Sequence, residues 1–511
     1  MDDDIFTEMC LRMPIHLVTS LEKGRMVVAS RDIREGEPVL FDDGCVRIPL
    51  HIDEACARCA NVLLAQDVKC NECGLFYCSE QCRKAASSLH AIECHIPPSL
   101  FEVSETEKIE YSLLWAGMRA IVTDFLHSKG GTSRVRPYVL SLDSHQASFD
   151  VQFLQCLRRA AQRLLPIIQR ALLQSDASLT CTEEGERNDD QGWCVAGWHA
   201  SDLVQFWCAM NVNAHGCGGR LGEEDVAVGL FPLGAMVNHS CVANCAWSVM
   251  NGCFVVRAVT KIAQGHELTL PYVDLGLPTA ERRHRLMRSK FFLCRCERCE
   301  SPSELGRCVN SIRCPSCGGW SHPDLASLPL DEEAKGEVRH WRCESCSISH
   351  KSTQVQVVRS VIERANQLAV DGEVFVACDR LEELEGSLQK SLHPNNAVLA
   401  DTYRALIRCA LKVDDPYRAV RYTKKVLAIL EGVLPEYHID KAAAYYAYAL
   451  RLNKLARLNT SAQAKYKRLG IKSLERCVRN LRVLRGECSA QEEDEIHTLF
   501  CALHLDYPSS N

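Results

Sequence analysis

Met236-Val237-Asn238-His239-Ser240-Cys241, followed by Glu267-Leu268-Thr269-Leu270-Pro271-Tyr272, carries the most telling pattern in this chain. Between the two, the stretch from Cys253 to Val259 is read as alternating and suggests a short strand. Gly229-Leu230-Phe231-Pro232-Leu233 precedes them. The Asn-His-Ser-Cys tetrapeptide says little alone, because a histidine in an apolar setting is more often a hydrogen-bonded core residue than a catalyst. It gains weight from a second patch near the start: Gly24-Arg25 through Val28-Ala29, then Arg31-Asp32-Ile33 and Gly36-Glu37.

The chain around these patches has 511 residues, enough for about three folded units. Its apolar fraction of 47% and charged fraction of 24% are ordinary for a globular protein and argue against a disordered chain. A net charge of −6 gives no pull toward nucleic acid or an anionic membrane, and direct nucleic-acid binding is not expected. No apolar run reaches the ~18 residues of a membrane span, and Met1-Asp2-Asp3-Asp4 is acidic where a secretion signal is basic. These features predict a cytoplasmic and nuclear protein with no membrane partner.

Thirty cysteines are present, and half occupy two short segments: seven between positions 56 and 94, eight between 294 and 346. In a reducing compartment, paired cysteines at short spacing hold zinc rather than disulfides. The first segment reads Cys56-x2-Cys59, Cys70-x2-Cys73, Cys78-x3-Cys82 and His90-x3-Cys94. Eight ligands make two tetrahedral sites, and a segment this small needs metal for its folding energy. It resembles the MYND zinc finger, a peptide-binding module whose ligands interleave. The resemblance assigns Cys56, Cys59, Cys78 and Cys82 to one zinc, and Cys70, Cys73, His90 and Cys94 to the other.

The two flanking patches together resemble a SET domain. With the finger between its two parts, the order is similar to the SET-and-MYND (SMYD) family of protein lysine methyltransferases. The Cys294-x-Cys296-x2-Cys299 run and Ser303-Glu304-Leu305-Gly306 look most like its arthropod-expanded branch. The fold class implied is α+β: a split SET β-fold interrupted by the finger and a helical insert, then a Cys-rich post-SET region and an α-helical, TPR-like C-terminal lobe. The boundaries expected are 1–50 for the N-terminal SET part, 51–95 for the finger, 96–210 for the insert and 211–290 for the core SET. Residues 291–350 form the post-SET region and 351–511 the helical lobe.

By this resemblance the cofactor is S-adenosylmethionine, contacted by Lys23, Gly24, Arg25, Asn213, Asn238, His239, Tyr272 and Phe292. Tyr272 is the catalytic residue, its hydroxyl directed at the methyl-transfer centre. A lysine amine attacks only when neutral, although its reference pKa is about 10.4, so such a site desolvates it. Transfer then depends on in-line alignment, without metal or a covalent intermediate. The resemblance also groups Cys241, Cys294, Cys296 and Cys299 as a third zinc site. Cys314-x2-Cys317 and Cys343-x2-Cys346 have the spacing of a zinc ribbon and predict a fourth.

Three departures bear on activity. Lys290 stands where relatives carry a second channel tyrosine, and it reads either as a like charge opposing substrate entry or as a solvated side chain turned outward, with Phe291 or Phe292 lining the pocket. Val242-Ala243 and His266 are smaller departures, not expected to carry chemistry. The basic run Arg282-Arg283-His284-Arg285 reads as a solvated helix face beginning near Pro278. Two functions stay open: a methyltransferase acting on lysines of histone or other proteins in transcriptional regulation, or a catalytically weak adaptor recruiting partners through finger and lobe.

Elsewhere the pattern is helical. Leu113, Leu114, Met118 and Ile121 share one face in the insert, as do Phe153, Leu154, Leu157, Ala161, Leu164 and Leu165. Residues 182–191 read as an exposed acidic loop. Beyond residue 352, Leu399, Tyr403, Leu406, Ile407, Ala410 and Leu411 have helical spacing. Pro394, Pro416 and Pro435 punctuate segments after caps such as Asn395 and Asp414-Asp415, without a crisp 34-residue repeat.

Overall fold

The structure is a computed structural model describing residues 3–63, 67–128, 135–175, 194–219, 221, 223–327, 338–486 and 490–504. Residues 182–191 lie outside that range. The chain forms two compact units. One comprises Met1–Asn238, Trp247–Arg257 and Lys261–Leu268, the other His239–Ala246, Ala258–Thr260 and Thr269–Asn511. No helix among the described residues is long and apolar enough to cross a membrane.

The first unit is built on short antiparallel strands. Ile15–Ser20 and Gly24–Ala29 form a hairpin in which Ser20 faces Gly24. Val46–Pro49, Ala227–Leu230 and His215–Cys217 make a three-stranded sheet, and Pro38–Asp42 pairs with Cys253–Ala258. Alternation decides which side is covered: Val27, Ala29, Val46 and Ile48 are buried, while Met26, Val28 and Arg47 are only partly so. The buried Asp42 carboxylate accepts the backbone N–H groups of Gly44, Leu233 and Gly234, fixing the turn that leads to Asn238. Burial pushes its pKa up despite those bonds.

The insert forms helices Tyr111–Ser128, Val151–Ser175 and Ala200–Asn213. Leu114, Met118 and Ile121 are buried as their spacing predicts, as are Leu157, Ala161, Leu164 and Leu165. Gly117 permits close helix packing, since a Cβ there would lie 2.5 Å from the Trp207 indole nitrogen. Arg119, on the first of these helices, binds both oxygens of Glu93 at 2.8 and 3.0 Å and the Ala57 carbonyl at 2.8 Å. Trp115 also donates to Glu93. The finger is thereby joined at two points to a core it could not build itself.

The second unit begins with the four-stranded sheet Ile312–Arg313, Trp320–Pro323, His340–Cys343 and Ser349–Lys351, with Trp341 fully buried beneath it. Seven helices follow among the described residues: Gln354–Val370, Val374–Ser391, Ala397–Lys412, Pro416–Val433, Ile439–Leu458, Gln463–Arg485 and Ala490–His504. Successive pairs start at Gln354, Ala397 and Ile439, 43 and 42 residues apart, which explains why no 34-residue period shows. Three local expectations are corrected. The cap of Ala397–Lys412 is Asn396, not Asn395, because the Asn396 side chain reaches the Val398 N–H. Leu411 is 52% exposed, turned off the face that buries Tyr403, Leu406 and Ala410. Arg282 and Arg283 are buried rather than solvated, for the reason given below.

Candidate functional site

In the first unit, the hairpin turn brings four of the expected residues together. Gly24 has φ +68, where a side chain would be strained, and the Lys23 N–H closes the turn on Ser20 Oγ at 2.9 Å. Asn238 Nδ2 donates to the Arg25 carbonyl at 3.0 Å and to Glu267 Oε1 at 3.0 Å, while Lys23 Nζ meets the other Glu267 oxygen at 2.6 Å. Glu267 is therefore the anchor of this polar cluster, and the sequence alone gave it no role. Its signal was its place beside the aberrant His266, the only acidic position left in that turn. Asn213 stands differently: its amide donates to the Asp143 and Ala209 carbonyls. It is linked to Arg25 through the loop at 141–143, because the Arg25 guanidinium donates to the Ser141 carbonyl at 2.8 Å.

In the second unit, His239, Tyr272, Lys290 and Phe292 form a cluster. His239 Nδ1 lies 3.0 Å from the Tyr272 backbone nitrogen and 3.1 Å from the Leu270 carbonyl oxygen, and Nε2 lies 3.3 Å from Cys241 Sγ. Burial lowers the His239 pKa to about 4, so the ring is neutral at physiological pH. Both ring nitrogens serve protein groups, and any polar contact from His239 to a ligand falls to its main chain. Tyr272 lies 5.2 Å and Phe292 6.0 Å from the His239 ring, centroid to centroid. Lys290 places Nζ 5.4 Å from the Tyr272 ring centroid, and burial lowers its pKa to about 8. The outward-facing reading of Lys290 is thus wrong. Phe291, in the left-handed conformation at φ +58, ends the helix Thr279–Lys290 and turns the chain toward Phe292.

The cysteines gather into four groups whose ligand atoms lie within 4.8 Å of one another: Cys56, Cys59, Cys78, Cys82; Cys70, Cys73, His90, Cys94; Cys241, Cys294, Cys296, Cys299; and Cys314, Cys317, Cys343, Cys346. Zinc at ~2.3 Å from each sulfur of a tetrahedron sets the sulfurs about 3.8 Å apart. The distances fit: 3.6 Å for Cys59–Cys78, 3.8 Å for Cys70–Cys94, 3.5 Å for Cys241–Cys299 and 3.7 Å for Cys314–Cys346.

The backbone carries the same message. Cys56, Cys70, Cys314 and Cys343 each accept, on their carbonyl, the N–H of the residue four places on. Those residues, Ala60, Gly74, Gly318 and Ser347, all have positive φ. Each of the four cysteines also donates its own N–H to the carbonyl five places on. One turn geometry recurs four times, and at Ala60 and Ser347 it is kept at a conformational cost of about 1–2 kcal/mol. Such turns aim both sulfurs of a Cys-x2-Cys pair at one point.

The third group is surrounded by charge. Arg282 Nε lies 3.3 Å from Cys241 Sγ and its Nη2 3.5 Å from Cys299 Sγ, and Arg282 Nη1 and Arg298 both bond Glu304 Oε2. Arg283 joins the Cys294 carbonyl at 3.0 Å and Glu300 at 2.6 Å. These partners draw in a helix face that its composition alone makes look solvated.

The SET domain family matches residues 24–273, spanning the turn at Gly24 and the strand end at Tyr272. The histone-lysine N-methyltransferase ASHR1 of Arabidopsis thaliana is 23% identical over 438 residues, 82% of each chain. The N-lysine methyltransferase SMYD2 of Homo sapiens is 24% identical over 431 residues, again 82% of each. The SET domain-containing protein SmydA-8, isoform B, of Drosophila melanogaster is 29% identical over 279 residues, 54% of this chain and 52% of that one. With a SET match over residues 24–273, relatives that align over 82% of the chain and a paired-cysteine finger inside the match, this chain carries a SET domain and is similar to the SET-and-MYND family of protein lysine methyltransferases.

Proposed function

We propose that this chain transfers methyl groups from S-adenosylmethionine to lysine side chains of protein substrates, histone or not, in transcriptional regulation. The observation that carries the reading is the joint use of Glu267 by Lys23 and Asn238, which holds a polar turn in shape around Gly24. S-adenosylmethionine supplies the methyl group and a positive sulfonium when bound. Gly24 leaves the main chain open to close approach, and Asn238, pinned by Glu267, keeps its amide fixed. Tyr272 is held through its own N–H by His239, so its hydroxyl orients rather than attacks. The finger recruits peptide partners and zinc organises all four cysteine groups. The cytoplasm and nucleus are the compartments we assign, and the likeness to the Drosophila protein supports placing the chain in the arthropod-expanded branch.

Lys290 favours a second reading, an adaptor with weak or no turnover, because an ammonium against Tyr272 repels a second one. Calorimetric titration of zinc-loaded protein with S-adenosylmethionine, beside Asn238→Ala, separates the two. Saturable binding lost in the variant supports the enzyme, and absence of binding by the parent protein supports the adaptor.

A further inference from the structure

Arg282 and Arg298 are both 0% exposed, yet the one carboxylate bonded to them among the described residues, Glu304, is shared. Two positive charges thus face one negative charge in a place where a lone ion is costly. Arg298 spends one nitrogen on the Leu275 carbonyl, and its Nη1 has no hydrogen-bond partner among the described residues. The other groups against Arg282 are the Leu277 carbonyl, the Thr279 hydroxyl and the sulfurs of Cys241 and Cys299. Four neutral thiols leave the excess positive charge uncompensated. Four thiolates around Zn2+ carry a net charge of −2 and turn both N–H···S contacts into charge-assisted bonds.

We propose that Arg282, backed by Arg298 and moderated by Glu304, is a built-in counter-charge that stabilises the Cys241–Cys294–Cys296–Cys299 centre in its zinc-bound, thiolate form and shields its sulfurs from attack. Arg282 is a positioning residue. It touches two ligands on separate stretches of chain, Cys241 and Cys299, and so resists their separation. The ribbon centre offers the internal contrast. Cys317 is exposed there, and the donor to its sulfur is a neutral backbone N–H, that of Gly319 at 3.4 Å. The inference rests on zinc filling this centre, which is checked apart from activity: Cys294→Ser must lower the zinc content of the purified chain by one ion.

The test is the rate at which N-ethylmaleimide alkylates each cysteine of the full-length, zinc-loaded protein in the presence of EDTA, read peptide by peptide by mass spectrometry. In the parent protein Cys317 reacts before Cys294, Cys296 and Cys299. Arg282→Gln accelerates alkylation of those three by about tenfold or more, with Cys56 and Cys59 unchanged as the internal standard. Arg282→Lys falls between the two. Glu304→Gln keeps an oxygen acceptor but frees the full charge of both guanidiniums, and alkylation slows. Because a merely structural network predicts that Arg282→Gln and Glu304→Gln both accelerate the reaction, acceleration by Glu304→Gln overturns the proposal. So does an unchanged rate in either variant. Should Arg282→Gln fail to fold, Glu304→Gln alone decides by its sign.

Discussion

Replacing Lys290 by Met keeps an unbranched side chain, one atom shorter, and removes its charge. Burial lowers the Lys290 pKa from 10.5 to about 8, a difference worth ~3 kcal/mol between the charged and neutral forms. Solvent still reaches this half-buried side chain, so we expect about 1–2 kcal/mol. The sign follows from proton counting. Between the folded value near 8 and the unfolded value near 10.5, the unfolded chain binds more protons, so parent stability rises with pH across that window. Below it the lysine is charged in both states and its cost is present in full. Lys290→Met therefore stabilises the protein at neutral pH, and its advantage shrinks as pH climbs through the window.

The same charge opposes a substrate ammonium. Two unit charges about 6 Å apart repel by ~3 kcal/mol at an effective dielectric constant near 20, so kcat/KM should rise by about tenfold or more in the variant. The assay pairs melting temperatures of parent and variant at about pH 7 and about pH 10 with methyl transfer to a lysine peptide. A stability gain independent of pH, or a loss, together with unchanged transfer, refutes the reasoning that Lys290 sits charged against Tyr272.

Tyr272→Phe removes only the hydroxyl and should lower methyl transfer while cofactor affinity by calorimetry stays within about twofold, since Tyr272 is anchored by its main-chain N–H. Elemental analysis of the purified chain should return four zinc ions, and a count of two would remove both downstream centres. Glu267→Gln should weaken S-adenosylmethionine binding about tenfold by releasing Lys23 and half-freeing Asn238, with no change in zinc content.

Much of this molecule was legible before folding. Ligand pairs at short spacing announce themselves because a turn that aims two sulfurs at one ion needs fixed separations, and the same turn recurs at Cys56, Cys70, Cys314 and Cys343. The apolar faces at Leu114 and Leu157 were equally local signals, as was the Asn238-His239-Ser240-Cys241 motif, whereas the strand at Cys253 does not alternate, since Phe254, Val255 and Val256 are all buried. What only tertiary structure decided concerns charge. Glu267, Arg282, Arg298 and Glu304 acquire their roles from partners brought near by folding, and a charged side chain carries no mark in sequence of whether its partner is water or a buried group. Lys290 is the plainest case, because only folding sets its Nζ against the Tyr272 ring. Composition and spacing set which atoms are available for chemistry. The fold sets which charges lose their water, and with it how strongly those atoms act.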